Sequence, residues 1–136
     1  VEAYHPSNAR SQMVLRDTNT FILDAYNANP SSMQAAIENF AGDPARDKVL
    51  MLGAMMELGA DSVAEHGRLV EQIGKYPWKE VVLVGGDFAR VPHPYHYFPD
   101  AGSAGRWLKD QGFAHTHFLV KGSRAIAMEQ VLEPEK

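Results

Sequence analysis

Four short apolar runs, each ending in small or charged residues, limit most strongly what this chain can fold into. They are FILD (21–24), VLMLG (49–53), VVLVGG (81–86) and HFLVKG (117–122). The runs are shorter than a typical helix and continuously apolar, a pattern typical of strands buried on both faces of a sheet. Because segments with helical periodicity separate them, the sequence predicts an α/β fold with a mostly parallel sheet flanked by helices.

The segments that separate or follow these runs predict four helices. Their apolar residues recur every three or four positions, which is the period of a helix with one buried face. Pro30 suits the first turn of the first helix. The predicted helices are PSSMQAAIENF (30–40), SVAEHGRLVEQIGK (62–75), AGSAGRWLKDQG (101–112) and SRAIAMEQVL (123–132).

Two weaker strand signals complete the predicted sheet. SQMVLRDTNTFILD (11–24) contains two strands around residues 17–19, so we expect an N-terminal hairpin whose first strand lies at the sheet edge. The proline-rich segment VPHPYHYFPD leaves room only for a short strand at 95–98. The predicted architecture is a Rossmann-like, mostly parallel sheet with an N-terminal edge hairpin, in one domain covering residues 1–136.

Composition restricts the partners of this domain. A chain of 136 residues with 45% hydrophobic residues is expected to form one core. The net charge of −4 and the scattered basic residues argue against nucleic acid or a polybasic membrane contact. No apolar run reaches the roughly 18 residues of a spanning helix. The absence of cysteine fits a reducing compartment, so we expect the cytoplasm.

Polar residues after the first run are candidates for a ligand site, because the carboxyl ends of parallel strands form the ligand crevice of such folds. Asp24 could accept hydrogen bonds from a ribose hydroxyl or orient a cation, although spacing alone slightly favours the alternative that it holds backbone amides of its own turn. Asn29 before Pro30 has a structural explanation as the N-cap of the first helix. Asn27 has no such explanation.

The segment LVKGSR (119–124) joins the last strand to the last predicted helix and forms a second candidate site. Lys121 and Arg124 bring positive charge to a helix N-terminus, Gly122 allows a tight turn and Ser123 could act as the N-cap, a combination suited to a carboxylate or a phosphate. A capped helix with two solvated basic side chains explains the same residues equally well.

Metal, nucleophile and phosphate-loop sites are not predicted. The pairs His93 with His96 and His115 with His117 have suitable spacing, but neither has a convincing third ligand. His66 is expected to be a surface or packing residue. The chain contains no GxSxG motif and no GxxxxGK[ST] phosphate loop.

Several segments together are more specific than any of these motifs. They are YHPSNARSQ (4–12), ILDAYNANPSSMQAAI (22–37), VLMLGAMMELG (49–59), VVLVGGDF (81–88) and LVKGSRAIAME (119–129). In this order they resemble the C-terminal domain of the Mur ligases, most closely that of the member that joins D-Ala-D-Ala to a UDP-N-acetylmuramoyl-tripeptide. The resemblance runs nearly from end to end.

The resemblance implies a domain excised from a three-domain, ATP-dependent ligase of peptidoglycan precursor synthesis. Its partners would be a central ATPase domain and an N-terminal UDP-sugar-binding domain of the same chain, with D-Ala-D-Ala as substrate. ATP and Mg²⁺ would act in the full-length enzyme, and none is expected on the isolated domain, which would be inactive and would carry no catalytic residue or metal ligand of its own.

The resemblance also implies roles for individual residues. Arg10, Asp24, Asn27 and Asn29 would contact ATP, with Arg10 at phosphate and Asp24 at ribose. Three further residues would bind the dipeptide carboxylate, namely Lys121, Ser123 and Arg124. The sequence departs from the family pattern at Ala9, where glycine is usual, and at Ala54, where an aspartate is usual. The second change puts in doubt a direct role for residues 53–57, although Glu57 remains.

Two other interpretations stay open at this point. The first is another ligase of the same superfamily, such as a folylpolyglutamate synthetase, against which KGSR and NANP argue. The second is a self-standing α/β module that binds a small ligand or a protein and catalyses nothing.

Overall fold

The computed structural model describes residues 11–25 and 27–132 and contains six strands and three α-helices in that part of the chain. The strands are β1 (Ser11–Arg16), β2 (Asn19–Asp24), β3 (Asp47–Gly53), β4 (Glu80–Val84), β5 (His96–Phe98) and β6 (Thr116–Lys121). The helices are α1 (Pro30–Ala41), α2 (Ser62–Ile73) and α3 (Ala101–Gln111). No helix among these residues is long and apolar enough to cross a membrane.

The six strands form one sheet in the order β1-β2-β6-β3-β4-β5. Only β1 and β2 pair antiparallel, and the other neighbours run parallel. The last of the described strands, β6, lies in the middle of the sheet between β2 and β3. The predicted fold class is therefore confirmed, including the N-terminal hairpin with β1 at the edge.

The edge hairpin turns at residues 17–18, where Asp17 adopts a positive φ of 56°. Short polar residues such as aspartate tolerate this left-handed conformation, which tight hairpins require. Met13 and Leu15 lie two positions apart and therefore on the same face of β1, with exposed fractions of 61% and 71%. This face of the edge strand is apolar and open.

The first helix begins where its sequence supplies both a cap and a proline. Pro30 occupies the first turn, where its missing N–H costs nothing, and Asn29 caps the free amide of Ser32. Met33, Ile37 and Phe40 then point into the core. α3 follows the N-cap Asp100, which accepts from the Ser103 N–H, and is followed by Gly112 in the left-handed conformation.

Two apolar layers cover the two faces of the sheet. One packs α1 and α2 on alternate residues of the central strands, such as Leu50, Leu83 and Leu119. The other packs α3 and the C-terminal segment on the residues in between, such as Met51 and Phe118. The alternation explains why the central strands β3, β4 and β6 are continuously apolar, since these strands are buried on both sides.

The predicted last helix, residues 123–132, is wrong. The segment forms two short 3₁₀ turns, Arg124–Ile126 and Met128–Leu132, separated by Ala127 with a φ of 58°. The reversal at Ala127 directs Met128 onto the sheet, where it is fully buried. An alanine in this conformation is unfavourable by roughly 1–2 kcal/mol, which the burial of the methionine side chain offsets.

Candidate functional site

The carboxyl ends of the parallel strands form one rim of the sheet, and backbone hydrogen bonds continue across it beyond the strands. The Gly122 N–H donates to the Asp24 carbonyl (3.4 Å), the Ser123 N–H to the Ala54 carbonyl (3.3 Å) and the Ala54 N–H to the Val84 carbonyl (2.9 Å). The rim from β2 to β4 is therefore one connected surface, as expected for the ligand crevice of an open α/β sheet.

An ion pair lies at this rim where β2 and β6 end side by side. Asp24 and Lys121 are register partners, and the Lys121 Nζ donates to the Asp24 Oδ2 at 2.9 Å. The same Nζ donates to the backbone carbonyl of Asn27 at 3.1 Å. The Lys121 side chain is 4% exposed and that of Asp24 23%. Two residues that the sequence analysis assigned to different ligands are thus brought together.

The asparagines after β2 have different surroundings. The Asn29 Oδ1 accepts from the Ser32 N–H at 2.9 Å, and the Ser32 Oγ accepts from the Asn29 N–H at 3.1 Å, so the two residues form a capping box. The cap proposed for Asn29 is therefore present. Asn27 is exposed, and its carbonyl is held by Lys121. Arg10 and Ala9 lie outside the described residues.

The turn after β6 is built on a close approach of two strands. A Cβ at Gly122 would lie 2.9 Å from the Gly53 Cα and 2.8 Å from the Met128 Cγ, so only glycine fits there. Ser123 precedes the 3₁₀ turn but makes no cap with its side chain, and its buried Oγ has no hydrogen-bond partner among the described residues.

Arg124 is exposed in this turn, so the positive charge predicted for the segment is present at the surface. The α-helix N-terminus that was expected beside it is not, because the turn Arg124–Ile126 has only three residues. An anion at this position would therefore be attracted by the side-chain charge and not by a helix dipole.

A buried histidine that sequence reasoning did not assign to the rim holds the loop after β3. His66 is fully buried, its Nε2 accepts from the Met55 N–H at 3.0 Å, and its Nδ1 donates to the Ser62 carbonyl at 2.7 Å. The two partners fix the neutral tautomer with the proton on Nδ1. The surface alternative for His66 is wrong. The sequence signal for the burial of His66 was its spacing, because His66, Leu69 and Ile73 lie three and four residues apart on the buried stripe of α2.

The loop held by His66 contains Ala54, the position at which the Mur ligases usually have an aspartate. Ala54 is fully buried, and a Cβ at Gly86 would lie 2.5 Å from the Ala54 Cβ, so the space around residue 54 is filled. Glu57 is exposed with a positive φ of 64°. Nearby, the Ser62 hydroxyl donates to Asp87 and is the main cause that lowers the pKa of the Asp87 carboxyl below its ordinary value.

A groove of about 610 Å³ opens beside the ion pair, between α1 and the strands β2 and β6. Ile22 and Leu119, which are register partners, form part of its apolar lining. Asp24 and Lys121 line it as well, and Asp43 adds a second carboxylate. The Asp24 carboxylate is therefore accessible from solvent, whereas Lys121 is covered.

The histidine pairs do not form metal sites in the described part of the chain. His96 pairs with Glu80 at 2.9 Å and His117 with Asp43 at 3.1 Å, each as an isolated contact. The His93 Nδ1 accepts from the Tyr95 N–H. Across residues 11–25 and 27–132, no three His, Asp or Glu side chains come together as metal ligands.

Sheet order, rim and close-packed glycine turn define a known class of protein. The chain belongs to the Mur ligase family, since the family model described as "Mur ligase, glutamate ligase domain" matches residues 9–124. Among its relatives is the UDP-N-acetylmuramoyl-tripeptide–D-alanyl-D-alanine ligase of Treponema pallidum, which is 35% identical over 98% of this chain and 31% of its own length. The corresponding ligase of Escherichia coli K12 is 32% identical over 87% of this chain and 27% of its own.

Solved structures agree with these relatives. MurF from Acinetobacter baumannii superposes with a TM-score of 0.75 at 29% identity, and MurF from Thermotoga maritima in complex with ADP with a TM-score of 0.77 at 25% identity. Both matches cover 90% of this chain and 29% of the larger one. The chain is homologous to the C-terminal domain of MurF and spans about 30% of the length of these relatives.

Proposed function

We propose that this chain is the C-terminal domain of a three-domain, ATP-dependent ligase that adds D-Ala-D-Ala to UDP-N-acetylmuramoyl-tripeptide. The central ATPase domain and the N-terminal UDP-sugar-binding domain would precede it in the same polypeptide. The single observation that carries the proposal is the carboxylate of Asp24 at the strand-end rim, accessible beside a groove, in a chain related to MurF along nearly its whole length.

The proposed reaction has two covalent steps. A carboxylate oxygen of the tripeptide attacks the γ-phosphorus of ATP and ADP leaves, which gives an acyl phosphate. The amine of D-Ala-D-Ala then attacks the acyl carbon and inorganic phosphate leaves. Neither step needs a nucleophile from this domain, so its contribution is to bind, to orient and to exclude water as it closes on the central domain.

Nucleotide contacts are proposed for the residues that follow β2 and for Arg10. Asp24 would accept hydrogen bonds from the ribose hydroxyls, since its carboxylate borders the open groove. The exposed Asn27 side chain would line the same wall. Asn29 would contribute there in addition to its cap, and Arg10 would reach phosphate from the start of the domain.

The turn after β6 is proposed to receive the dipeptide carboxylate. Arg124 brings an exposed guanidinium, which suits a carboxylate because it can donate two parallel hydrogen bonds. Ser123 would donate through its Oγ, which has no partner among the described residues. Lys121 is the third residue assigned to this carboxylate, and the assignment stays a prediction. Its ammonium is already engaged by Asp24, which argues against it.

Magnesium would be held elsewhere in the full enzyme. No cluster of three metal ligands exists among the described residues, and Asp24, the carboxylate at the rim, is engaged with Lys121. Because the reaction consumes ATP, we expect it in the cytoplasm, which the cysteine-free composition also suits.

A phosphate-release assay tests the proposal. The full-length protein is supplied with UDP-N-acetylmuramoyl-tripeptide, ATP, Mg²⁺ and D-Ala-D-Ala, and the 136-residue chain is assayed beside it. Phosphate release that depends on the dipeptide in the full protein, and none from the 136-residue chain, is the expected result. No release from the full protein would favour a binding module without catalysis.

Asp24→Asn in the full-length protein tests the nucleotide wall separately. The amide keeps the shape of the side chain but has one acceptor oxygen and no charge, so we expect a higher KM for ATP and a lower kcat. Unchanged KM and kcat would remove Asp24 from the nucleotide site while leaving the ligase assignment intact.

A further inference from the structure

Lys121 has a degree of burial that a ligand-binding lysine at a surface does not need. Of the lysines, arginines and carboxylates that the structure describes, it alone is buried, with 3% of the residue exposed. Burying an ammonium is costly unless partners replace the lost water. The partners of Lys121 should therefore indicate what it does.

Both observed partners of Lys121 belong to the segment after β2. Its Nζ contacts the Asp24 Oδ2 at 2.9 Å and the Asn27 carbonyl at 3.1 Å, which occupies two of its three protons. The ammonium therefore ties the end of β2 to the loop that leads to α1. A dipeptide carboxylate could reach only the third proton, and the ammonium is covered, since the Lys121 side chain is 4% exposed.

The carboxylate of Asp24 is in turn restricted by Lys121. One of its oxygens, Oδ2, is engaged, so the rotation of the carboxylate is limited and its Oδ1 is held in one direction. A carboxylate that is fixed before its ligand arrives loses less entropy on binding. The second hydrogen bond restricts the Asn27 backbone before binding in the same way.

We propose that Lys121 is a positioning residue for the nucleotide: it orients the Asp24 carboxylate and the Asn27 loop toward the ribose and does not contact the dipeptide. The proposal rests on the proposed function, in which Asp24 binds ATP. It assigns to Lys121 a role in ATP binding that acts entirely through Asp24 and its loop.

A double-mutant cycle in the full-length protein tests this role. The variants are Lys121→Met, Asp24→Asn and the double variant, and the KM values for ATP and for D-Ala-D-Ala are measured with the other substrates saturating. Lys121→Met should raise the KM for ATP about tenfold or more, as expected for the loss of a hydrogen bond to a charged group. The KM for the dipeptide should stay within about twofold, a spread that corresponds to a few tenths of a kcal/mol.

The double variant supplies a readout that a purely structural lysine would not give. If Lys121 acts through Asp24 and its loop, Lys121→Met should raise the KM for ATP less in the Asp24→Asn background than in the wild type, because the charge pair is already lost there. Multiplied effects on ATP, or a raised KM for the dipeptide with an unchanged KM for ATP, would overturn the proposal. Should Lys121→Met fail to fold, Lys121→Gln, which keeps a hydrogen-bond donor but not the charge, takes its place in the same cycle.

Lys48→Met is the matched control. Like Lys121, Lys48 makes two hydrogen bonds through its Nζ, to the carbonyls of Ala41 and Asp43 at 2.7 and 2.8 Å. These bonds lie near the start of β3, away from the rim. The substitution should lower the thermal unfolding temperature and leave both KM values unchanged. A wild-type protein without dipeptide-dependent phosphate release would refute the proposed function and this role with it, whereas an active wild type with a failed cycle refutes only the role of Lys121.

Discussion

Asn29 is the residue at which a structural role and a proposed ligand role can be separated most cleanly. Asn29→Ala removes the Oδ1 that accepts from the Ser32 N–H at 2.9 Å. The reciprocal bond, from the residue 29 N–H to the Ser32 Oγ, uses only the backbone of residue 29 and survives. One of the two bonds of the capping box is therefore lost, and one amide of the first turn of α1 goes unpaired.

The expected cost follows from that single bond. Losing an N-cap acceptor destabilises a protein by about 1 kcal/mol. For a chain of 136 residues, that corresponds to a decrease in Tm of roughly 3–5 °C. Urea unfolding should show a lower midpoint with an unchanged slope, because the surface exposed on unfolding does not change.

Two controls make this result interpretable. Asn29→Asp keeps an acceptor and places a negative charge at the helix N-terminus, so stability should return to at least the wild-type value. Asp100→Ala removes the equivalent cap of α3, which accepts from the Ser103 N–H at 2.8 Å, and should cost a similar amount away from the rim. Wild-type stability of Asn29→Ala beside a destabilised Asp100→Ala would refute the assignment of the cap.

Asn29→Asp also decides the second role. In the full-length protein its cap is intact, so a change in the KM for ATP reflects a side chain close to the nucleotide and not a loosened helix. An increase in that KM would assign Asn29 to the ATP site in addition to the cap. An unchanged value would leave the cap as its whole function.

Three further outcomes are expected for the 136-residue chain. Gly122→Ala should lower the free energy of unfolding by about 1–3 kcal/mol, because its Cβ would meet the facing backbone at 2.9 Å. Gly67→Ala, inside α2 and with its nearest neighbour at 4.0 Å, should raise the free energy of unfolding by roughly 0.5–1 kcal/mol. Urea midpoints of the two variants that move in the same direction would contradict this. His66→Phe should cost about 1–3 kcal/mol, since it leaves the Met55 N–H buried without an acceptor, and thermal unfolding at wild-type temperature would refute the stabilising role of this hydrogen bond. The hydrogen bond from the Ser103 backbone amide lowers the pKa of the Asp100 carboxyl. The stabilisation by this carboxylate is therefore present above the ordinary pKa of 3.8 and is lost as the pH falls through the lowered pKa of the folded state. In acid unfolding titrations, the stability difference between wild type and Asp100→Ala should shrink as the pH falls below 3.8.

The strands and most helices could be predicted because local signals and tertiary packing agree. Continuous apolar runs are needed wherever a strand is covered on both faces, and Pro30 or Gly112 mark helix ends by their own conformational limits. The C-terminal segment failed for the opposite reason. Its apolar spacing fits a helix, while Ala127 carries no sign of the left-handed conformation that burial of Met128 imposes.

The candidate site could be predicted only as separate pieces. Asp24 and Lys121 were identified one by one because each ends an apolar run, yet their pairing depends on β6 lying next to β2, and local periodicity does not encode strand order. His66 was underestimated because a polar residue on a buried stripe gives no sign of its partners. Its role depends on Met55, eleven positions away in a loop without periodicity.

The central position of the last strand has a consequence for how this domain is made. While a ribosome synthesises the chain, β2 and β3 emerge long before β6, and the edge that each will pair with β6 stays open until then. Their unpaired backbone groups remain open to other chains or to chaperones during that time. Because Asp24 and Lys121 are 97 positions apart, the rim exists only after nearly the whole domain has left the ribosome. A truncated product that stops before residue 116 would therefore be two separate strand groups without a site, and a target for degradation.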